Sequence, residues 1–211
     1  MTLNDFTTEF ILSETKKLQY LFGLKKVIRY NQTRSDEDLT ESVAEHLYGM
    51  MILVQYFLPL EDPSGTLNRS RIYELVTLHD IDEIETGDIL GWAKTPDHRA
   101  AEAEAFSLIK QKSPDSFTPH LESCYVEYKE QQTTEARFVK AIDKIEPFFH
   151  VYNDQGRALL KICQTTAERS LRIKTPYIEE FQYIKKFANV IHQAFIDGDY
   201  YWREENEDVL P

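Results

Sequence analysis

His79 and Asp80 follow directly on the apolar run Tyr73-Glu-Leu-Val-Thr-Leu78. An imidazole beside a carboxylate at the end of a hydrophobic helical stretch is costly to bury unless something binds both. A divalent cation would do so, and it would need further ligands. Two residues stand in comparable settings: His46 in Ser42-Val-Ala-Glu-His-Leu-Tyr-Gly-Met50 and Asp143 in Phe138-Val-Lys-Ala-Ile-Asp-Lys-Ile-Glu146. Alone, His46 reads as a core histidine with one backbone hydrogen bond, and Asp143 equally as an ion-pair partner of Lys140 or Lys144. Together, two imidazoles and two carboxylates form a borderline-hard donor set. It suits one Mn²⁺, Co²⁺, Fe²⁺, Ni²⁺ or Zn²⁺, Mg²⁺ less well, and leaves positions for water. Such an open position is what hydrolysis requires, because the cation acidifies bound water and polarises a phosphoryl oxygen.

The elements that must position these residues read as helices. Helical periodicity covers Phe6 to Leu24, followed by Leu24-Lys-Lys-Val-Ile-Arg-Tyr30; the polar, acidic stretch from Asn31 to Thr40 reads as a loop. Ser42 and Glu45 match a capping box, in which hydroxyl and carboxylate satisfy backbone donors reciprocally. The helix it starts is expected to run to about Phe57, with Val43, Leu47, Met50, Val54 and Phe57 inward, and Pro59 to Thr66 as a turn-rich connection. The next spacing predicts one helix from about Arg69 to Ile84, ended by Thr86-Gly-Asp88, with Ile72, Val76, His79, Asp80 and Glu83 on a single face. Asp82 and Glu85 then point to solvent. After a loop from Gly91 to Pro96, helices are expected over about 97–112, 117–132, 134–154, 156–173 and 177–202. The stripe Phe181, Ile184, Phe187, Ile191 and Phe195 covers the core or forms a subunit contact, with His192 beside it as a packing or surface residue. Period-two alternation is absent over any useful length. The expected fold is all-α, one domain over 1–211, its motifs within about 20–150 and the helices of 156–203 completing the domain or a dimer surface.

Composition narrows the function classes. A length of 211 residues suits one domain with a substantial core, and only 7 Gly and 8 Pro favour long helices. The net charge of −12 repels polyphosphate backbones and disfavours long nucleic acid as a partner. A small phosphorylated substrate stays compatible, given a cation and a few basic side chains. Part of the negative charge lies in Glu204-Glu-Asn-Glu-Asp208. No apolar run approaches the roughly 18–20 residues that span a bilayer, and the N-terminus lacks a secretory pattern. Cys124 and Cys163 show no ligand spacing and read as reduced thiols, so a cytoplasmic protein without a membrane partner is expected.

Four blocks occur in order: Lys25-Lys-Val-Ile-Arg-Tyr30, Glu41-Ser-Val-Ala-Glu-His46, His79-Asp-Ile-Asp-Glu-Ile-Glu-Thr-Gly-Asp88 with Lys94, and Asp143. This set resembles the HD-domain superfamily of metal-dependent phosphohydrolases, most closely its small single-domain 5′-deoxynucleotidase-like branch. The resemblance implies a helical HD fold and one divalent transition metal held by His46, His79, Asp80 and Asp143. It implies that Glu83 is not a ligand but orients the attacking water or shuttles its proton. Asp88 matches the second acidic position, where it contacts the nucleotide, assists proton transfer or simply orders the loop. Arg29 matches a phosphate-binding arginine, and Lys94 a lysine of that branch. Tyr30 departs from the pattern, which has Trp after the arginine. Tyr still stacks on a base or sugar, but the exchange bears on deoxyribose selectivity. Trp92 is a second wall of the pocket or a loop aromatic capping the core. The implied reaction is hydrolysis of the 5′-phosphomonoester of a (deoxy)nucleoside monophosphate by a metal-activated water. A homodimer is implied only by this resemblance.

Two other classes compete. One is hydrolysis of another phosphorylated nucleotide, such as ppGpp or a cyclic nucleotide. Binuclear relatives that cleave diesters insert histidines between the doublet and the last Asp, where only His98 and His120 stand; both read as surface residues. The other is a nucleotide-sensing module that binds without turnover, against which the intact ligand set with Glu83 argues.

Overall fold

A computed structural model describes residues 8–34 and 40–203. The acidic segment Glu204–Asp208, the start of the expected first helix at Phe6, and residues 35–39 of the expected loop lie outside the described residues. The architecture among them is helical, with a single isolated bridge between Ile28 and Ser42.

The chain forms α1 (Thr8–Leu21), a 3₁₀ turn (Phe22–Lys25), a second one (Arg29–Asn31), α2 (Val43–Glu61), α3 (Arg69–Leu78), α4 (Glu83–Thr86), α5 (Pro96–Lys112), α6 (Thr118–Glu130), α7 (Thr134–His150), α8 (Asp154–Ile162), α9 (Ala167–Ile178) and α10 (Gln182–Asp197). Side chains cap most of the starts. Ser42 and Glu45 form the expected reciprocal box, and Asn68, Thr95, Thr133, Asn153 and Thr166 each accept a first-turn backbone N–H. The central helix is α7. It buries Phe138, Val139, Ile142, Ile145 and Phe148 and packs against α2, α3, α6, α9 and α10. The amphipathic α10 lays Ile184, Ala188 and Phe195 onto this core. A smaller cluster around Leu24, Val43, Ile81, Phe106 and Tyr125 ties the N-terminal turns to α5 and α6.

Several expected boundaries move. Helix α2 runs through Pro59 to Glu61 instead of ending near Phe57. A proline in the last turn forfeits one backbone bond, which exposed Gln55 can satisfy from solvent. This helix is 19 residues long with mean hydropathy 1.2, apolar and long enough to cross a membrane by length and composition alone, contrary to expectation. Its apolar side, with Met50, Val54 and Phe57, is buried in the protein core. The expected helix over 156–173 is two helices, separated where Gln164 takes a left-handed φ of 49° and Thr166 caps the next start. The one expected over 177–202 begins at Gln182.

The change that matters most is in the doublet. The helix predicted over 69–84 stops at Leu78, and His79–Asp82 form a tight turn before α4. In a continued α-helix the Val76 carbonyl would receive the Asp80 N–H. Here His79 Nδ1 lies 2.9 Å from it, and the turn closes with i→i+3 bonds from Ile81 and Glu83. The metal-ligand candidates therefore project from a helix end. The single polar face assumed for His79, Asp80 and Glu83 does not exist as a helical stripe.

Candidate metal centre

His46 sits on α2 and is fully buried, His79 at the end of α3 and also fully buried, and Asp143 in the middle of α7. One ligand atom from each of these three lies within 4.8 Å of the others. Asp80 joins them through His79, whose Nε2 is 2.9 Å from Asp80 Oδ2. Three of the four predicted ligands thus converge, and Asp80 stands beside them in contact with His79.

A hydrogen bond fixes the His79 tautomer. His79 donates through Nδ1 to the Val76 carbonyl, which leaves a lone pair on Nε2. His46 Nδ1 lies 2.6 Å from Glu146 Oε2, and its Nε2 faces Asp143 Oδ1 at 3.6 Å. Both Nε2 atoms are buried with no hydrogen-bond partner among the described residues. Two orphaned ring nitrogens facing carboxylates fit a divalent cation, since each would otherwise carry an unmet desolvation cost. Burial and Arg29 push the His46 pKa down, but the Glu146 and Asp143 carboxylates outweigh them and raise it to about 9. An imidazole that ligates a metal must surrender that proton, so occupancy and proton release are linked.

Two other clusters have ligand spacing, and each already holds a cation. Arg29 Nη1 lies 2.6 Å from Glu41, 2.8 Å from His46 Nδ1 and 3.2 Å from Glu146. Arg71 Nη1 donates to Glu74 at 2.9 Å and to Cys124 Sγ at 3.0 Å, with His120 completing that group. His120 is half-buried beside Cys124, and His98 accepts the Thr95 N–H at the start of α5.

Glu83 lies at the start of α4, 6 % exposed, with no hydrogen bond from its carboxylate to any described residue. Burial, then the charges of Asp80 and Asp88, holds its pKa well above the usual carboxylate range. It shares an open pocket of about 510 Å³ with Asp80, Asp143, Asp88, Lys94, Arg29 and Tyr30. Lys94 is held by Glu102 at 2.7 Å. Asp88 accepts the Tyr30 N–H at 2.8 Å and lies 3.6 Å from Arg29 Nε, so it pins a left-handed residue, φ 62°, into the pocket wall. Trp92 does not line this pocket. It lines an adjoining recess together with Tyr30, under the Arg169 guanidinium.

Sequence reasoning missed three features. Asp82, expected in solvent, is 2 % exposed and bonded to Tyr125 and Lys129, whereas Glu85 is exposed as expected. Glu146, the orienting partner of His46, was recognised only as the end of a motif. The available signal was Gly49, one turn after His46 within a helix: a Cβ there would meet Glu146 Oε1 at 2.6 Å. The basic lining from α7 and α9, with Lys140, Lys144 and Arg172, was also missed.

A helical frame that points two imidazoles and the Asp143 carboxylate at one place, with Asp80 alongside, defines an all-α protein built around a candidate metal centre. The chain belongs to the HD-domain family, whose family model matches residues 22–185. It is 31 % identical over 131 residues to human 5'-deoxynucleotidase HDDC2, covering 61 % of this chain and 62 % of that protein. The mouse protein of the same name is 30 % identical, with 61 % and 63 % covered. The chain therefore spans under two thirds of the length of these relatives. A fission yeast protein, 5'-deoxynucleotidase hdd1, is 33 % identical over 141 residues, 64 % of this chain and 69 % of its own. Among solved structures, a predicted metal-dependent phosphohydrolase from Magnetospirillum magnetotacticum superposes with TM-score 0.76 at 19 % identity, covering 92 % of this chain and 98 % of that one. At this identity the match shows the shared fold.

Proposed function

We propose that the chain is a metal-dependent phosphohydrolase that converts (deoxy)nucleoside 5′-monophosphates to nucleoside and inorganic phosphate. The observation that carries this reading is the pair of orphaned His46 and His79 Nε2 atoms facing Asp143 and Asp80, beside a buried, unbonded Glu83. The relatives named 5'-deoxynucleotidase support the substrate class.

His46, His79, Asp80 and Asp143 would hold the cation, with Glu146 and the Val76 carbonyl orienting the two imidazoles. The donor set favours Mn²⁺, Co²⁺, Fe²⁺, Ni²⁺ or Zn²⁺. When bound, the cation supplies Lewis acidity toward a phosphoryl oxygen and water. Glu83, with its raised pKa, takes up and returns the proton of the attacking water. In a chain of net charge −12, the pocket nevertheless carries Lys94, Arg99, Lys129, Lys140, Lys144 and Arg172. These offset the charge of a phosphate dianion. Arg29 Nη1 is already engaged by Glu41 and Glu146, so Arg29 serves the ligand shell first and the phosphate only through what remains of its fork. Asp88 holds Arg29 and Tyr30 in place, and Lys94 meets the phosphate from the α5 side.

Phosphate release from a panel of 5′-mono-, di- and cyclic nucleotides, with EDTA and metal add-back, tests this. Hydrolysis of deoxynucleoside monophosphates, abolished by EDTA and restored by metal, is expected. Release from no compound would favour the sensor reading. Glu146→Gln is expected to lower metal affinity by about 10–100-fold with the fold intact, measured by chelator competition and circular dichroism. Unchanged affinity would remove Glu146 from the orienting role.

The same reading takes the protein to be cytoplasmic, in keeping with its two buried free cysteines. It also takes it to be a homodimer, with exposed Ile52 and Tyr56 of α2 and Val190 of α10 as the contact face, Tyr56 packing on Phe187 of α10. Light scattering of Tyr56→Glu against the parent checks this: a monomeric variant is expected.

A further inference from the structure

Lys174, on α9, is 6 % exposed and has neither an ion-pair nor a hydrogen-bond partner among the described residues. Its ammonium lies 4.5 Å from the centre of the Phe148 ring. Burial, then the nearby charge of Lys144, brings its pKa down to about 7. An amine held mostly out of water, with no ion pair or hydrogen bond to a described residue, is a donor still open to a ligand. Lys174 lines a recess shared with Tyr30, Leu90, Trp92, Phe148 and Ser170. Trp92 in the same wall holds an indole N–H that is buried without a hydrogen-bond partner.

The recess opens beside the metal centre, because Arg29, Tyr30, Asp143 and Lys144 line both it and the catalytic pocket. Its walls are mostly apolar, with few polar groups, the usual make-up of a site for an organic ligand. Its size limits what enters. The volume is about 100 Å³, below the ~150 Å³ of a cavity that accepts a benzene ring. Only part of a nucleotide therefore enters it. The pentose is the part of a 5′-nucleotide bonded directly to the scissile phosphate group. It must lie next to the centre that holds the phosphate.

We propose that this recess is the sugar subsite, in which Lys174 donates a hydrogen bond to the 3′-hydroxyl oxygen of the substrate's pentose and so selects for nucleotides that carry it. This rests on the nucleotidase reading above. A site built to hydrogen-bond a hydroxyl rejects the analogue that lacks it, because its buried donors are then left unpaired.

The test compares kcat/KM for a 2′-deoxynucleoside 5′-monophosphate with that for its 2′,3′-dideoxy counterpart, in the parent and in Lys174→Met, both loaded with the metal that supports turnover. The parent is expected to favour the 3′-hydroxyl substrate by about 10–100-fold or more. Lys174→Met is expected to bring the two substrates within about threefold while still hydrolysing the dideoxy one. Its Tm is expected to stay level or rise, since Met keeps the apolar stem and removes a largely buried ammonium. Lys174→Gln, which keeps a donor, is expected to retain part of the discrimination and supplies the readout if the Met variant does not fold. A parent preference that persists unchanged in the folded variants would overturn the sugar-subsite assignment and leave the nucleotidase reading standing. Hydrolysis of no nucleotide by the parent would instead overturn that reading, and this assignment with it.

Discussion

Glu83→Gln is expected to lower kcat by about 10²–10⁴-fold, the usual contribution of a positioned proton-transfer group, while the protein keeps its metal. Glutamine matches glutamate in volume, so the packing at the start of α4 is undisturbed. What disappears is a carboxylate with no hydrogen-bond partner among the described residues, held largely out of water beside Asp80 and Asp88. Its raised pKa reflects burial first and those two acids second, the arrangement expected of a proton-transfer group. The neutral amide also relieves repulsion among the three acids, so the Tm should stay level or rise. Turnover, metal content by mass spectrometry and Tm together separate the possibilities. Turnover within a few-fold of the parent would exclude Glu83 as proton handler. Metal lost together with activity would make it a ligand instead.

Much of this centre was legible in the sequence because its signals are local. The Ser42–Glu45 box announces α2, and His46 follows one residue later at a position that must be buried. The His79-Asp80 doublet and Asp143 each interrupt an apolar stripe, which is visible without any tertiary information. What stayed hidden depends on partners distant in sequence. Arg29 reaches Glu146 across 117 positions, and His46 reaches it across 100. Asp82 looked solvated on a continuous helix. The turn at His79–Asp82 rotates it inward to Tyr125 and Lys129 instead. That turn is stabilised by a side chain, His79 Nδ1 on the Val76 carbonyl, and helical periodicity contains no term for such competition. Lys174 is the opposite case. Its sequence neighbours carry no signal for it, and the packing of α9 on α7 is what buries it.

Asp143→Ala is expected to lose bound metal and stability together, and the two losses can be told apart. Asp143 Oδ2 accepts from Tyr128 at 3.0 Å and pairs with Lys140 and Lys144, each at 3.1 Å, while Oδ1 faces His46. The carboxylate therefore has a structural role even without a cation. Breaking a buried pair costs roughly 3–5 kcal/mol. Both lysine side chains are about a fifth exposed, which puts this cost toward the lower end of that range. In a chain of this size about 3 kcal/mol corresponds to a Tm drop of roughly 6–12 °C, and that drop should appear in metal-free protein. The ligand role shows only on adding metal. A cation that binds the folded state alone stabilises it by about 2.7 kcal/mol at a hundredfold excess over Kd. The parent Tm should therefore climb by several degrees as metal is titrated. The Asp143→Ala curve should stay flat over the same range. If Asp143 were only an ion-pair partner, the variant would start lower and climb in parallel with the parent. Parallel curves would strike it from the ligand set and leave His46, His79 and Asp80 as the protein's contribution to the site.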